Sequence, residues 1–368
     1  MPGRMEALNK YMSRAVTIAQ RGKGWVNPNP LVGAVLVKGG RIIGEGYHEY
    51  FGGPHAEVNA IRNAKEDVAG STLVVTLEPC SHHGKTPPCT DLILDHKIRN
   101  VVIGVLDPNP TENGRGKKIL EDHGVEVTSG FLEERIREMN EPFFKFIRSG
   151  KPFCVLKTAM TLDGKIATVA KESHWISGKE SGKYIHELRQ QLSAIMVGIN
   201  TVLIDDPSLN TRRNGKRNRN PLKVIVDTMA RIPLDSKVLA NDPQLALIAT
   251  TSRADSAKLK MLERSGAQVL VCPVKNDHVD ISFLANSLGT MGIDSILLEG
   301  GSTLAFSALS EGIVDKVISF IAPKIVGGKD ALSPVGGDGI RQLSDAIMLH
   351  DIAVKRVGKD IMIRGYIH

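Results

Sequence analysis

Apolar residues recur at helical spacing near the start of the chain. Leu8, Tyr11, Met12, Ala15 and Ala19 share one face, which predicts a helix over 5–20. The period then changes. LVGAVLV (31–37) is an apolar run of strand length, Lys38-Gly39-Gly40 a turn, and RIIGEGY (41–47) the returning strand. Helices are expected from about His55 to Ala64 and after Pro87-Pro88, with strands at 71–77 and 100–106. GRGKKILEDHG predicts a helix closed by Gly124, VEVTSG a further strand, and 132–147 a charged helix. Strands alternating with short helices imply an α/β sheet covered on both faces.

Ser149-Gly150-Lys151-Pro152 is small and turn-forming, and it divides the chain into 1–149 and 150–368. The alternation restarts beyond it. Strands are expected at 153–160, 194–198, 222–227, 244–249, 268–272, 295–298 and 313–321, and helices at 179–192, 254–265 and 302–310. No internal repeat relates the halves. RRNGKRNRNP (212–221) is the one biased segment and reads as a solvated loop.

Length agrees with two domains: 368 residues, 42% hydrophobic and 24% charged, exclude a disordered or collagen-like chain. No apolar run approaches the ~20 residues that span a bilayer, and MPGRMEALNK has no apolar core, so neither a membrane partner nor a signal peptide is expected. Four cysteines in so long a chain are no disulfide framework and point to a reducing cytoplasm. The net charge of +7 is uneven: 19 basic and 18 acidic residues lie in 1–150, 28 and 22 beyond. Five of the basic groups fall between Arg212 and Arg219. The balance permits phosphorylated small molecules or nucleic acid as partners.

The candidate chemistry of the first half is His55-Ala56-Glu57, then Pro79-Cys80 and Pro88-Cys89. A hydrolytic zinc site needs three protein ligands and an open position for water, and one imidazole with two thiolates fits. His55 and Cys89 fall where helices begin, which favours thiolate over thiol. Glu57 is placed to move a proton between that water and a leaving nitrogen. The order H-x-E…P-C…C is the signature of zinc nucleobase deaminases, although eight residues separate the cysteines here instead of two. His82 and His83, between them, are rival ligands or solvent-facing residues. Cys154 and Cys272 sit in expected strands and read as small core residues.

NPNPLVGA (27–34), GYHEYFGGPHAEVNAI (46–61), TLEPCSHHGKTPPC (76–89) and DPNP…GRG (107–116) resemble the deaminase half of the bifunctional riboflavin-biosynthesis deaminase–reductases. LKTAMTLDGKIAT (156–168), SHWIS (173–177), GINTVLIDDPSLNTR (198–212) and LLEGGSTL (297–304) resemble its reductase half. The resemblance covers nearly the whole chain in motif order. It implies a cytidine-deaminase-like three-layer sandwich followed by a dihydrofolate-reductase-like domain. The first would hydrolyse the 2-amino group of 2,5-diamino-6-(5-phosphoribosylamino)pyrimidin-4-one to give 5-amino-6-(5-phosphoribosylamino)uracil and ammonia. The second would use NADPH to deliver hydride to ribose C1′, opening the sugar to a ribityl chain. The match carries zinc to His55, Cys80 and Cys89, the proton to Glu57, and the pyrimidine edge to Asn29, whose other reading is a turn residue between prolines.

Read by residues alone, ILLEGGSTLAFSALSEG (296–312) is strand, Gly-Gly turn and helix, which either cradles phosphate or merely connects the two elements. No GxGxxG is present. The resemblance places the cofactor on Ala159, Trp175, Thr201, Asp205, Thr228, Gly301, Ser302, Thr303, Leu304, Ala305, Phe306 and Ser307. It places substrate on Lys157, Ser173, Arg189, Leu209, Arg212 and Glu299. Arg189 and Arg212 make chemical sense as phosphate clamps; Lys157 and Asp205 both remain candidates for polarising the sugar carbonyl. A homo-oligomer is expected. The competing reading is a nucleic-acid base deaminase with a basic binding module. Only 4% of the residues are aromatic, too few for base-stacking platforms, so no nucleic-acid partner is expected.

Overall fold

The structure is a computed structural model that describes residues 2–82, 87–170, 172 and 176–367. The chain forms two compact units, Met1–Gly150 and Lys151–His368.

The first unit runs α1 (Pro2–Ala19), β1 (Gly33–Lys38), β2 (Arg41–Tyr47), α2 (Ala56–Arg62), β3 (Thr72–Leu77), α3 (Cys89–Asp95), β4 (Asn100–Val105), α4 (Arg115–Asp122), β5 (Glu126–Ser129), α5 (Glu133–Met139) and α6 (Glu141–Ser149). Its sheet has the order β2-β1-β3-β4-β5, antiparallel through β2-β1-β3 and parallel through β3-β4-β5. Strand pleating sends Ala34 and Leu36 to one face, with Ala56 and Ala60 of α2, Ile93 of α3 and Leu120 of α4. Val35 and Val37 go to the other face, with Met12, Ala15 and Val16 of α1, Ile136 of α5 and Phe144 of α6. The three layers expected of this half are therefore present.

One helix expected at 132–147 is two. Pro142 lies at the start of α6, where its ring suits a first turn but would clash inside a continuous helix. Asn140, at the break, is 3% exposed and binds both the N–H and the carbonyl of Leu31, at 2.8 and 3.1 Å.

The second unit runs β6 (Phe153–Thr161), α7 (Lys179–Gln191), β7 (Ala194–Gly198), α8 (Ile199–Asp205), β8 (Leu222–Val226), α9 (Lys237–Ala240), β9 (Ala246–Thr251), α10 (Ser256–Arg264) and β10 (Gln268–Cys272). It continues through β11 (Val274–Lys275), β12 (His278–Val279), α11 (Ile281–Thr290), β13 (Ser295–Leu298), α12 (Ser302–Ser310), β14 (Lys316–Ala322), β15 (His350–Val357) and β16 (Asp360–Tyr366). The nine-stranded sheet has the order β10-β9-β8-β7-β13-β6-β14-β16-β15. It is parallel from β10 to β14 and antiparallel at β14-β16-β15. From β6 the chain steps outward to β10, returns to insert β13 between β7 and β6, then places β14 beyond β6. Such a reversal of strand order opens a crevice at the carboxyl ends of the strands. Cys154 and Cys272 are buried in the core, as their strand positions led us to expect.

The basic loop differs from its expectation. Arg213 is ion-paired to Glu187 at 3.0 Å, with its side chain 14% exposed, and Arg219 N donates to Gln190 at 2.9 Å. The loop is partly packed on α7 rather than wholly solvated.

Candidate active sites of the two units

In the first unit, His55 is the residue before α2, Cys80 follows β3, and Cys89 opens α3. Three separate elements thus bring the His55, Cys80 and Cys89 ligand atoms within 4.8 Å of one another. His55 Nδ1 lies 3.3 Å from Cys89 Sγ and 3.5 Å from Cys80 Sγ. Tetrahedral zinc, with bonds of ~2.0 Å to nitrogen and ~2.3 Å to sulfur, sets its ligand atoms roughly 3.5–3.8 Å apart. The donor set and its spacing fit that ion. Hydrogen bonding from Cys89 holds the Cys80 thiol down at about 4, and the same bond pushes Cys89 up. Cys80 in turn raises His55 to about 9. Cys80 is therefore held toward the thiolate a metal requires, while Cys89 and His55 each have a proton to give up on binding it.

Close approach of α2 to the sheet places these groups. A Cβ on Gly46 of β2 would lie 2.2 Å from Ala60 N and 2.4 Å from Ala56 O, so only glycine lets the helix sit there. Glu57, in the first turn of α2, is 4% exposed, and burial raises its carboxyl above the usual range. It lines a cavity of about 310 Å³ with Asn29, His48, His55, Glu78, Cys80, His82, Asp107 and Glu112, closed on one side by Phe143 and Ile147 of α6.

Four of these residues, His48, Glu78, Asp107 and Glu112, escaped the residue-by-residue reading, although each lies within or beside a quoted motif. His48 Nδ1 faces the Pro54 carbonyl at 3.0 Å and can only donate to it, so His48 Nε2 accepts from Asn29 Nδ2 at 3.1 Å. Glu78 accepts from the N–H groups of Asp107, Gly114 and Lys117, at 3.0, 2.9 and 3.0 Å. Of the rival ligands, His82 turns to Glu112, with Nδ1 to Oε2 at 3.3 Å, and His83 lies outside the described residues.

In the second unit two cavities meet at the crevice. One, of about 480 Å³, is lined by Thr201, Asp205, Thr228, Gly301, Ser302, Thr303, Leu304 and Ser307 of the expected cofactor set. Gly301 has φ +88°, where a side chain would be strained, and ends the β13 turn at the start of α12. The other cavity, of about 660 Å³, contains Lys157, Ala159, Arg212, Glu299 and Ala305, and shares Thr201, Asp205, Gly301 and Ser302 with the first. Phe306 lines neither and lies beside Gly337. Ser173 and Trp175 lie outside the described residues.

Arg189 lines neither cavity. Its Nε and Nη2 donate to Glu299 at 2.7 and 3.0 Å and its Nη1 to Asn210 O at 3.2 Å, so the fork that was to clamp phosphate is engaged inside the protein. Leu209 is 3% exposed, packed in the core below β7 and β8, with φ +54°. Glu299, 4% exposed on its side chain, is also 3.3 Å from Lys157 Nζ. Burial alone would raise its pKa, but Arg189 and Lys157 overcome that and hold it at about 2. His186, which the sequence reading did not single out, accepts from Arg212 N at 3.1 Å.

Comparison with known proteins finds relatives of both units. Residues 5–105 match the cytidine and deoxycytidylate deaminase zinc-binding region, and 152–363 match the RibD C-terminal domain. The chain is 48% identical over 96% of its length to the riboflavin biosynthesis protein RibD of Actinobacillus pleuropneumoniae, of which it covers 93%. It is 42% identical to RibD of Aquifex aeolicus, covering 96% of each. A solved diaminohydroxyphosphoribosylaminopyrimidine deaminase/5-amino-6-(5-phosphoribosylamino)uracil reductase of Thermotoga maritima is 38% identical, with TM-score 0.88 over 99% of this chain and 100% of that one. RibD of Acinetobacter baumannii superposes with TM-score 0.88 at 32% identity, over 99% of both chains. The chain therefore belongs to the RibD family of bifunctional riboflavin-biosynthesis enzymes, a zinc-dependent deaminase and an NADPH-dependent reductase carried on one polypeptide.

Proposed function

We propose that residues 1–149 deaminate 2,5-diamino-6-(5-phosphoribosylamino)pyrimidin-4-one and residues 150–368 reduce the ribosyl group of the product to ribityl. The observation that carries the first assignment is the convergence of His55, Cys80, Cys89 and Glu57 on one cavity. His55, Cys80 and Cys89 would hold zinc, which would supply a Lewis acid that makes water nucleophilic at neutral pH. Glu57 takes the proton from the attacking water and delivers it to the 2-amino nitrogen, so that ammonia leaves. Asn29, oriented by His48, keeps its carbonyl oxygen for N–H groups on the pyrimidine edge.

In the second half, the Gly301 turn and the start of α12 would hold the pyrophosphate of NADPH, which would supply the hydride. Thr201 and Asp205, shared by the two cavities, would position C1′ of the substrate for it. Lys157, 3.3 Å from Glu299, is the group that donates to the sugar oxygen, because a lysine amine brings N–H donors. Arg212 takes the substrate phosphate, and Arg189 acts through Glu299. Ser173 and Trp175 keep the roles the family motif gives them.

The same reading places the chain in the cytoplasm as a homo-oligomer that binds no nucleic acid. Among the described residues no disulfide joins the cysteines, and no helix is long and apolar enough to cross a membrane. Self-association is supported by apolar exposure on the last hairpin, where Ile352 and Val354 are 60% and 66% exposed. The test is to assay ammonia release and NADPH oxidation on the purified chain, with each pyrimidine in turn. Ammonia from the diamino compound and oxidation only with its deaminated product are expected; robust oxidation with the undeaminated compound would overturn the order of steps.

A further inference from the structure

The 660 Å³ cavity of the second unit holds a histidine that the sequence motifs do not use. Its charges are uneven: among the described residues, Lys157, Lys179, Lys183 and Arg212 line it against Asp205 and Glu299. Glu299 is already bound to Arg189 and Lys157, at 2.7 and 3.3 Å. Lys179, Lys183 and His186 are spaced by one helical turn along α7, so one helix face brings all three to the cavity. That face suits an anion, and the hydrogen bonding of His186 fixes which of its atoms is offered.

His186 Nδ1 accepts from Arg212 N at 3.1 Å, and a ring nitrogen that accepts carries no proton. Burial, Arg189 and Arg212 hold the ring's pKa down at about 4, with Glu299 opposing them, so at neutral pH the imidazole is uncharged. Its one proton is then on Nε2, which has no hydrogen-bond partner among the described residues. The ring is not needed to hold the segment it touches. Arg189 Nη1 donates to Asn210 O at 3.2 Å, and Arg213 Nη1 to Glu187 Oε2 at 3.0 Å, so α7 grips the chain on either side of Arg212. Loss of the imidazole leaves that grip in place and removes a donor from the cavity.

Resting on the reading that Arg212 takes the substrate phosphate, we propose that His186 donates its Nε2–H to the same phosphate and is a substrate-binding residue of the reductase. A directed neutral donor beside a guanidinium adds a bond to the phosphate without the desolvation that a further buried cation would cost. Steady-state kinetics of the full chain and its variants, with 5-amino-6-(5-phosphoribosylamino)uracil and with its dephosphorylated counterpart, test this. His186→Leu should raise KM for the phosphorylated compound about 20-fold, with its kcat, the KM of the dephosphorylated compound and the Kd of NADPH within about twofold. His186→Gln, whose carbonyl can accept from Arg212 N while its amide donates to the ligand, should recover most of the loss. His186→Glu can still accept from Arg212 N but donates nothing, and should be no better than His186→Leu. Recovery by Glu as complete as by Gln would show that His186 only holds the chain at Arg212, and would overturn the proposal. Equal weakening of both compounds by His186→Leu would overturn it too. Arg212→Gln, which keeps the backbone N–H, separates the underlying reading. If Arg212→Gln weakens only the phosphorylated compound while His186→Leu changes neither, the phosphate assignment stands and the His186 proposal falls. If Arg212→Gln affects the two compounds alike, the phosphate is bound elsewhere and both fall.

Discussion

Glu57 and Glu299 are both buried carboxylates, and their surroundings drive them in opposite directions. Glu57 is raised above the usual carboxylate range, chiefly by burial. Replacing it with Gln removes the shuttle and keeps the shape; ammonia release should fall at least about 10³-fold. Zinc content measured on the same sample should be unchanged, and loss of metal would mean that Glu57 serves the site's architecture instead. Glu299 is held at about 2 by Arg189 and Lys157, so in the folded chain it stays ionised to low pH. The unfolded chain, with an ordinary carboxyl near 4.5, binds the extra proton first. Stability from this group is therefore complete above about pH 4.5 and is lost as pH falls toward 2. Thermal melts between pH 2 and 6 should show a shallower acid slope for Glu299→Gln than for the parent chain. Glu57 was legible in the sequence because its partners are local. The Arg189–Glu299 bond was not, because 110 residues separate its members.

At the scale of elements, short helices entering from strand ends do most of the positioning. His55 precedes α2, Cys89 opens α3, and Gly301 precedes α12. Gly46→Ala should drive α2 off β2, because the new Cβ meets backbone that no side-chain rotation relieves. The cost is roughly 3 kcal/mol, read as a lowered melting temperature of the first unit, together with reduced zinc affinity. Unchanged metal binding would show that α2 does not set the site. The sequence located these helices within a few residues because their apolar faces and flanking Pro and Gly are local signals. It missed α8 and α11, and it missed β15 and β16. Most of β15 is exposed, so its burial gives no alternation to read. The division of 132–147 into two helices follows from Pro142, a local signal, whereas the burial of Asn140 against Leu31 at the break had none.

On the scale of the whole molecule, the two units carry separate cavities and separate cofactors. Chelation of zinc should therefore abolish ammonia release while leaving NADPH oxidation with the deaminated product within about twofold of the untreated enzyme. Parallel loss of both activities would show that metal binding also supports the reductase half. The net charge of +7 takes a different form in the structure from the one its sequence clustering implied. Part of the basic loop is bound to α7 through Glu187 and Gln190, and the lysines and arginines that line the two cavities of the second unit, Lys157, Lys179, Lys183, Arg212 and Arg231, come with one exception from outside that loop.

The sequence by itself determined the alternation of strands and helices, the division near Gly150 and the metal triad with its proton carrier. Each of these is written in local period, turn chemistry or motif spacing. Only the tertiary structure decided which arginine lines a cavity. It tied Arg189 to Glu299 and left Arg212 and Arg231 at the cavities, because a guanidinium's partners come from whichever strand ends the sheet order brings together. Burial, and with it the direction of each carboxyl's pKa, was settled at the same stage, since desolvation and opposing charges belong to the packed chain and have no local code.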